Sequence, residues 1–255
     1  MTDRTHKFTT NTRKIGQHGE LTWGGENDWN NEIKDSDGVI VVDGQVSPSK
    51  IPTDGLVSYW TFNGDYLDQV NQYDGVASDG VEFAIDTQRG TVADFNGVDG
   101  KVTVGQPKLQ DEAITVSAWA SADRFGDGNG HEAQLVQVPQ TDSVVLQATD
   151  NGQWGARIYD SSEGTNYRTV APGEIGTWVH LVLTFDGGTL RLYVDGVQED
   201  STTVPPTINT TNTDEWVIGS HTTAPRYYAG RMGDVAVYNW ALDDTTVKEL
   251  HTATK

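Results

Sequence analysis

Sugar hydroxyls are held by side chains that set a flat aromatic face beside hydrogen-bonding groups, and this sequence offers both. Trp154, Arg157, Tyr159 and Tyr167 fall in one stretch, and Arg226-Tyr227-Tyr228 in another. Aromatic rings cover the apolar face of a sugar, and arginine donates to its oxygens. These seven residues are the candidate carbohydrate-binding set. The loop Asp123–His131 is a candidate wall, with Asp127 and His221 as neighbours. Each residue taken singly has an ordinary use as well, on a solvated strand face or in a cross-strand pair.

Catalytic chemistry finds less to work with. The sequence has no cysteine, which removes thiol nucleophiles, thiolate metal sites and disulfides. It has no G-x-S-x-G elbow. His131-Glu132 does not continue to a second histidine, so H-E-x-x-H is absent. Glycoside hydrolysis needs two facing carboxylates. The densest acidic step near a strand, Gln198-Glu199-Asp200, has no second glutamate beyond it. A non-enzymatic protein is expected.

The elements that must position these residues read as short strands. Val179–Phe185, Thr189–Val194 and Val197–Thr203 form a meander. In its middle strand Leu190, Leu192 and Val194 point one way, Arg191 and Tyr193 the other, the alternation of a sheet with one buried face. Asp195-Gly196 favours a type I′ turn. Further strands are expected at Leu56–Phe62, Val81–Ile85, Thr91–Phe95, Lys101–Val104, Ile114–Ala120, Leu135–Val138, Val144–Ala148, Trp154–Tyr159, Tyr167–Val170, Trp216–Gly219 and Gly230–Tyr238. Asp68 to Gly80 reads as an irregular loop, and a short helix over Thr245–His251 would be capped by Asp243 or Asp244. Many short strands between Gly, Asp and Asn turns, without helical patterns between them, mean an antiparallel sandwich or barrel.

The stretches Gly55–Phe62, Ala93–Gly100, Ile114–Trp119, Thr177–Phe185, Leu190–Gly196 and Gly230–Leu242 follow one another in a characteristic order. On these residues the chain from Thr53 onward resembles the laminin-G-like, concanavalin-A-like lectin/glucanase domain. The resemblance implies an all-β fold: a two-sheet antiparallel jelly-roll sandwich, each sheet with six or seven strands, here with an extended N-terminal arm and a short C-terminal helix. It implies that Trp60, Trp119 and Trp178 pack the core or a sheet edge, and that His180 is structural. Members of this family often hold a structural calcium ion between the start of the domain and its last strand. The matching oxygen ligands would be Asn63, Asp65 and Asp234, with Asp68 close enough to assist. Glycosidases of this fold carry E-x-D-x-E on one strand, a pattern missing here. Since the fold serves lectins, hydrolases, adhesion modules and virion proteins alike, it does not by itself choose a function.

Residues 1–52 read differently from the domain at 53–255. The first twenty residues are the basic stretch, with Arg4, Lys7, Arg13 and Lys14 against Asp3 and Glu20. Trp23 and Trp29 sit among Gly, Asn and Asp with little apolar support, and only Val39–Val42 offers a short strand. Such a segment orders against a partner, so it is expected to dock or to assemble copies, with Trp23 and Trp29 as anchors. The stretch Trp23–Trp29 (WGGENDW) is similar to the leaders of tail-fibre and other virion proteins from viruses of halophilic archaea. That similarity implies a virion surface protein: a tail fibre, receptor-binding protein or capsid turret contacting host-surface glycans. Residues 1–50 would hold it to other virion proteins, and copies would form a homo-oligomer, trimer or pentamer. The alternatives are a cell-surface or secreted carbohydrate-binding adhesin, or a purely architectural decoration. The start of the sequence lacks an apolar run, so assembly inside a host cell, without a secretion signal, is expected.

Charge narrows the partners. The net charge is −20, from 37 acidic and 17 basic residues spread along the chain. High salt screens such self-repulsion, which makes adaptation to a saline milieu the preferred reading over an acidic protein of ordinary surroundings. Nucleic-acid binding needs a basic face and is not expected. No apolar run approaches the ~20 residues of a membrane-spanning helix, so no membrane insertion is expected. Asn209-Thr210-Thr211 is a glycosylation sequon.

Overall fold

Among the described residues, fifteen strands and one helix follow in the order that the alternation requires. In the computed structural model, residues 51–107, 113–138, 144–206 and 215–255 are described. The anchors Trp23 and Trp29, the arm that contains them and the sequon at Asn209 lie outside the described residues. The strands are β1 (Leu56–Trp60), β2 (Gly75–Ala77), β3 (Val81–Asp86), β4 (Gly90–Asn96), β5 (Val102–Val104), β6 (Ile114–Ala122), β7 (Ala133–Val138) and β8 (Val144–Ala148). They continue as β9 (Gln153–Asp160), β10 (Thr165–Pro172), β11 (Val179–Phe185), β12 (Thr189–Val194), β13 (Val197–Thr203), β14 (Trp216–Ile218) and β15 (Ala229–Tyr238), and α1 spans Asp244–Thr254.

Two antiparallel sheets result. The first has eight strands in the order β13-β12-β11-β6-β15-β4-β3, with β1 also paired to β15. The second has seven, in the order β10-β9-β8-β7-β14-β5-β2. The expected all-β sandwich with a C-terminal helix is therefore the fold, and its first sheet is one strand wider than expected. The extra width comes from β15, which pairs with β4 at Ala229–Met232 and with β1 from Val235 onward. The ladder between β15 and β6 shifts between Gly233 and Ala236, and Asp234 at the shift has φ 50°. A bulge of this kind lets one strand serve two neighbours in turn.

Some boundaries move. Leu56–Phe62 ends as a strand at Trp60, because Phe62 takes a positive φ. The loop from Asp68 to Gly80 contains β2, which pairs with β5. The strand expected at Tyr167–Val170 is eight residues long, zipped along β9. The meander stands as read. Asp195 and Gly196 both adopt positive φ, 51° and 80°, as a type I′ turn demands, and the Asp195 carboxylate accepts from the His180 N–H at 2.9 Å.

The main core lies between the sheets. Inward-facing alternate residues of both, among them Val116, Ala118, Leu146, Ile158, Leu183, Leu192 and Val237, form one apolar cluster with Trp60. A second cluster lies on the far face of the eight-stranded sheet, where Tyr59, Val182, Tyr193 and Tyr238 meet Val247 and Leu250 of α1 and Ile51 from the chain before β1. Asp243 starts the helix by accepting from Thr246 N–H at 2.8 Å, a cap worth about 1 kcal/mol. Trp119 also belongs to this far face: its indole N–H donates to the Thr254 hydroxyl at 2.8 Å, and its ring stacks on His251. His180 is buried beside it, with Nε2 at 2.8 Å from the Ser117 hydroxyl, and burial holds its imidazole well below the usual pKa, hence neutral. The helix thus covers the outside of the eight-stranded sheet.

Candidate functional site

With one outer face covered by the helix, the opposite outer face, that of the seven-stranded sheet, is where strand side chains can meet a ligand. Alternation decides which do. On β9, Trp154, Ala156 and Ile158 point into the core, so Gly155, Arg157 and Tyr159 point out. On β8, Val144, Leu146 and Ala148 point in, so Val145 and Gln147 point out. On β7 a register shift between Gln134 and Val136 puts both Leu135 and Val136 in the core and leaves Gln134 and Gln137 outside. Cross-strand pairing lines these up in two rows. One runs Gln134, Gln147, Gly155, Val170, and the other Gln137, Val145, Arg157, Arg168.

The rows are polar yet buried. Gln134 is 0% exposed, Gln147 1% and Arg157 8%. Gln137 accepts from the Thr222 N–H at 2.9 Å. Both amide atoms of Gln134 and both of Gln147 have no hydrogen-bond partner from the protein, nor do Nε and Nη2 of Arg157. Arg157 spends Nη1 on the Asn166 side-chain oxygen at 2.8 Å. Polar groups this deep are nearly always satisfied, and leaving one unmet costs about 1–3 kcal/mol. Glycine at position 155 lets the Gln147 and Thr149 side chains pack over the strand, since an added Cβ would stand 3.3 Å from each.

Charge concentrates at one end of the rows. Glu132 bridges Arg168 at 2.6 Å and Arg226 at 3.5 Å. Burial pushes its carboxyl upward, but its own backbone hydrogen bond and the two guanidiniums outweigh that and hold it below the usual value. Burial, with Arg168 adding, lowers Arg157 to about 10, so it stays charged at neutral pH. Burial, then Arg226 and Arg157, push His221 down to about 4. His221 Nδ1 accepts from the Thr223 N–H at 3.1 Å, so in the neutral ring the proton sits on Nε2.

The seven candidate sugar-binding residues divide. Arg157 and Tyr159 lie on the outer face, and Arg226 joins them through Glu132. Trp154 does not: it is fully buried between the sheets, edge-on to Phe125 with centroids 4.9 Å apart. Tyr228 is likewise buried, edge-on to Phe95. Tyr167 pairs with Ile158 and leans on the core, its hydroxyl donating to Glu163 at 2.8 Å. Both strand residues follow from parity: Trp154 and Tyr167 share the face of Ile158. Tyr227 is half-buried beside Arg226. The Asp123–His131 loop is tied to itself, with Asp127 accepting from Asn129 and His131 N–H groups at 2.7 and 3.1 Å. Sequence reasoning missed Glu132, Gln134, Gln137, Gln147 and Arg168. The available signal was weak: Gln134, Gln137 and Gln147 are polar residues set in otherwise apolar strands, and the register shift in β7 breaks the alternation there.

The calcium ligands do not assemble. Asp234 is bound to Arg89 at 2.5 Å and accepts the Tyr59 hydroxyl, so both its oxygens are taken. Asp68 caps the Tyr59, Val70 and Tyr73 N–H groups, and Asp65 caps Leu67. The Asn63 N–H turns back to the Thr61 hydroxyl. Among the described residues no group of three Asp, Glu or His side chains is placed to hold a metal ion. A guanidinium stands where the resemblance implied a cation, and these residues do not fit calcium.

A cleft of about 480 Å³ lies elsewhere, between β12 and the start of α1. Its charged groups are already paired: Arg191 with Asp186 at 2.5 Å, the Tyr193 hydroxyl with Asp244 at 2.8 Å, and Asp243 with the helix N–H groups. Among the described residues no helix is long and apolar enough to cross a membrane.

Residues 96–248 match the family model of the concanavalin A-like lectin/glucanases superfamily, Laminin_G_3. Among curated proteins none matches the sequence. Solved structures share the fold. Domain 4 of the extracellular arabinanase AbnA from Geobacillus stearothermophilus, in complex with arabinotriose, superposes with TM-score 0.64 at 19% identity, over 77% of this chain and 98% of that one. The binding domain of Paraclostridial Mosquitocidal Protein 1 gives 0.65 at 17% identity, over 81% of this chain and 52% of that one. The ligand-binding domain of botulinum neurotoxin serotype D, in complex with N-acetylneuraminic acid, gives 0.61 at 13% identity, over 82% of this chain and 52% of that one. The chain thus spans nearly all of the arabinanase domain and about half of each toxin chain. At these identities the likeness is one of fold.

Proposed function

The chain belongs to the concanavalin A-like lectin/glucanases superfamily, and from that premise we propose that it is a non-enzymatic carbohydrate-binding protein carried on a virion surface. The observation that carries the binding part is the outer face of the seven-stranded sheet, where Gln134, Gln147 and Arg157 hold buried donors and acceptors without protein partners. Amides and guanidinium groups are what a pattern of sugar hydroxyls needs, and Tyr159 supplies a ring at the same face. Arabinotriose and N-acetylneuraminic acid are the ligands named with two of the proteins that share the fold, which supports a sugar as ligand class.

Catalysis is not part of the proposal. Hydrolysis requires two carboxylates across one glycosidic bond. The carboxylate set among these groups, Glu132, is tied to two guanidiniums and held ionised, unsuited to donate a proton. A glycan array in high salt tests the binding reading. The protein is expected to bind at least one class of host-surface glycan, and Tyr159→Ala and Gln147→Leu to weaken that binding roughly 10-fold each, the size of one lost stacking or hydrogen-bonding group. A folded protein that binds no glycan would leave a purely architectural role.

The virion part rests on the Trp23–Trp29 stretch and the net charge of −20. Residues 1–50 would attach the protein to other virion components and assemble copies into a trimer or pentamer, so that weak sugar sites act together. Deleting residues 1–50 is expected to abolish incorporation into particles while the remaining domain keeps its far-UV spectrum and melting transition. Full incorporation of the truncated protein would remove the docking role, and a secreted or cell-surface adhesin would then be the better reading.

A further inference from the structure

The unpartnered atoms of Arg157 are Nε and Nη2. Those two N–H groups lie along one edge of the guanidinium and point the same way, the edge that meets a carboxylate with two parallel hydrogen bonds. Nη1, on the other side, is held by Asn166, which fixes the plane of the group. Around this recessed edge stand Arg168 and Arg226, whose side chains are 45% and 29% exposed. Two of these guanidiniums, Arg168 and Arg226, pair with Glu132, whose charge also acts on Arg157, so three cations share one carboxylate in a chain whose net charge is −20. A surface this acidic repels anions at long range, so a local excess of cations around a buried, unpartnered fork is a specific arrangement rather than a by-product of composition. Gln134 and Gln147 add neutral amides along the adjoining row, suited to hydroxyls.

Resting on the carbohydrate-binding reading above, we propose that the ligand is an acidic sugar whose carboxylate is taken by the Nε–Nη2 edge of Arg157, with Arg168 and Arg226 guiding it in and the glutamine row binding the ring hydroxyls. High salt weakens the guidance of the exposed arginines far more than the buried fork, because screening acts on charges in solvent. The preference for an acidic sugar should thus survive salt.

Isothermal titration with uronic-acid oligosaccharides and their carboxyl-reduced counterparts, at low and high salt, tests this. The wild-type chain is expected to bind the acidic form at least about 10-fold more tightly, the value of a bidentate charged pair over a neutral one. Arg157→Lys should remove most of that preference, weakening the acidic form far more than the reduced oligosaccharide, because an ammonium cannot form the two parallel hydrogen bonds to a carboxylate. Arg168→Gln, at an exposed position that does not threaten folding, should weaken the acidic form by about 3-fold at low salt and by less at high salt. Equal binding of acidic and reduced forms by the wild type would overturn the inference and leave the carbohydrate-binding reading standing. Binding of neither form here, together with no binding on the array, would overturn both.

Discussion

Trp154→Ala is expected to destabilise the sandwich by about 3–5 kcal/mol, the usual range for deleting a buried large aromatic side chain. In a domain of this size that lowers the melting temperature by roughly 10 °C. The indole is fully buried between the sheets and packs edge-on against Phe125 at 4.9 Å, a contact that adds about 0.5–1.5 kcal/mol to the burial itself. The cavity left behind has little way to close. Its neighbours on β8 and β10, Ala148 and Ala171, are small and fixed by ladders on either side. Trp154→Phe should cost much less. It keeps a ring against Phe125 and removes an indole N–H that has no partner. Thermal unfolding followed by circular dichroism separates the two variants. An alanine variant that melts with the wild type yet loses glycan binding would place the indole on the ligand face and undo the assignment of faces made above.

That assignment also shows what could be read in advance. The strand at Trp154–Tyr159 was legible from its alternation, and so was the turn at Asp195-Gly196, because both are local: a period of two and a positive φ are written in neighbouring residues. Which side of the strand faces the core is not local. Trp154, Ala156 and Ile158 are the more apolar set, so parity alone puts Trp154 inside, but the expectation that aromatic residues form sugar platforms pointed the other way. The short β2 was missed because Gly75–Ala77 has three residues and exists by pairing with β5. The floor of the site was missed for a related reason. Gln134, Gln137 and Gln147 look like the solvated half of ordinary strands, and their burial arises only when β7 to β10 and the segment around His221 come together. Glu132 gains its role from Arg168 and Arg226, 36 and 94 positions away, pairings that no spacing in the sequence announces.

Asp234 carries the other large effect, and it turns on a partner the sequence did not suggest. Asp234→Ala is expected to cost about 3–5 kcal/mol, because it strands a mostly buried guanidinium. Burial pushes the Asp234 carboxyl up and the Arg89 guanidinium down, and each shift is opposed chiefly by the other group's charge. Removing one partner leaves that penalty on the survivor. The loss should fall toward the lower end of the range, since Arg89 also donates to the Thr254 carbonyl at 2.9 Å and lies 4.0 Å over the Trp119 ring. The pair matters because of where it sits. Arg89 comes from the β3–β4 turn, Asp234 from the bulge where β15 passes from β4 to β1, Tyr59 from β1 and Thr254 from the end of α1. One ion pair therefore ties the turn, both partners of the bulged strand and the helix that covers the sheet. Asp234→Asn retains a residue that tolerates φ 50° and an acceptor for Tyr59, and should lose less than alanine does. Adding Arg89→Met to Asp234→Asn takes away the unpaired charge and should restore part of the lost stability, so the double variant melts above the Asn single variant. Denaturant titrations of the wild type, Asp234→Asn, Arg89→Met and the double variant measure that coupling. Strictly additive losses would mean that the charges do not act on one another, and the stability of this corner would then rest on the Trp119 and helix packing alone.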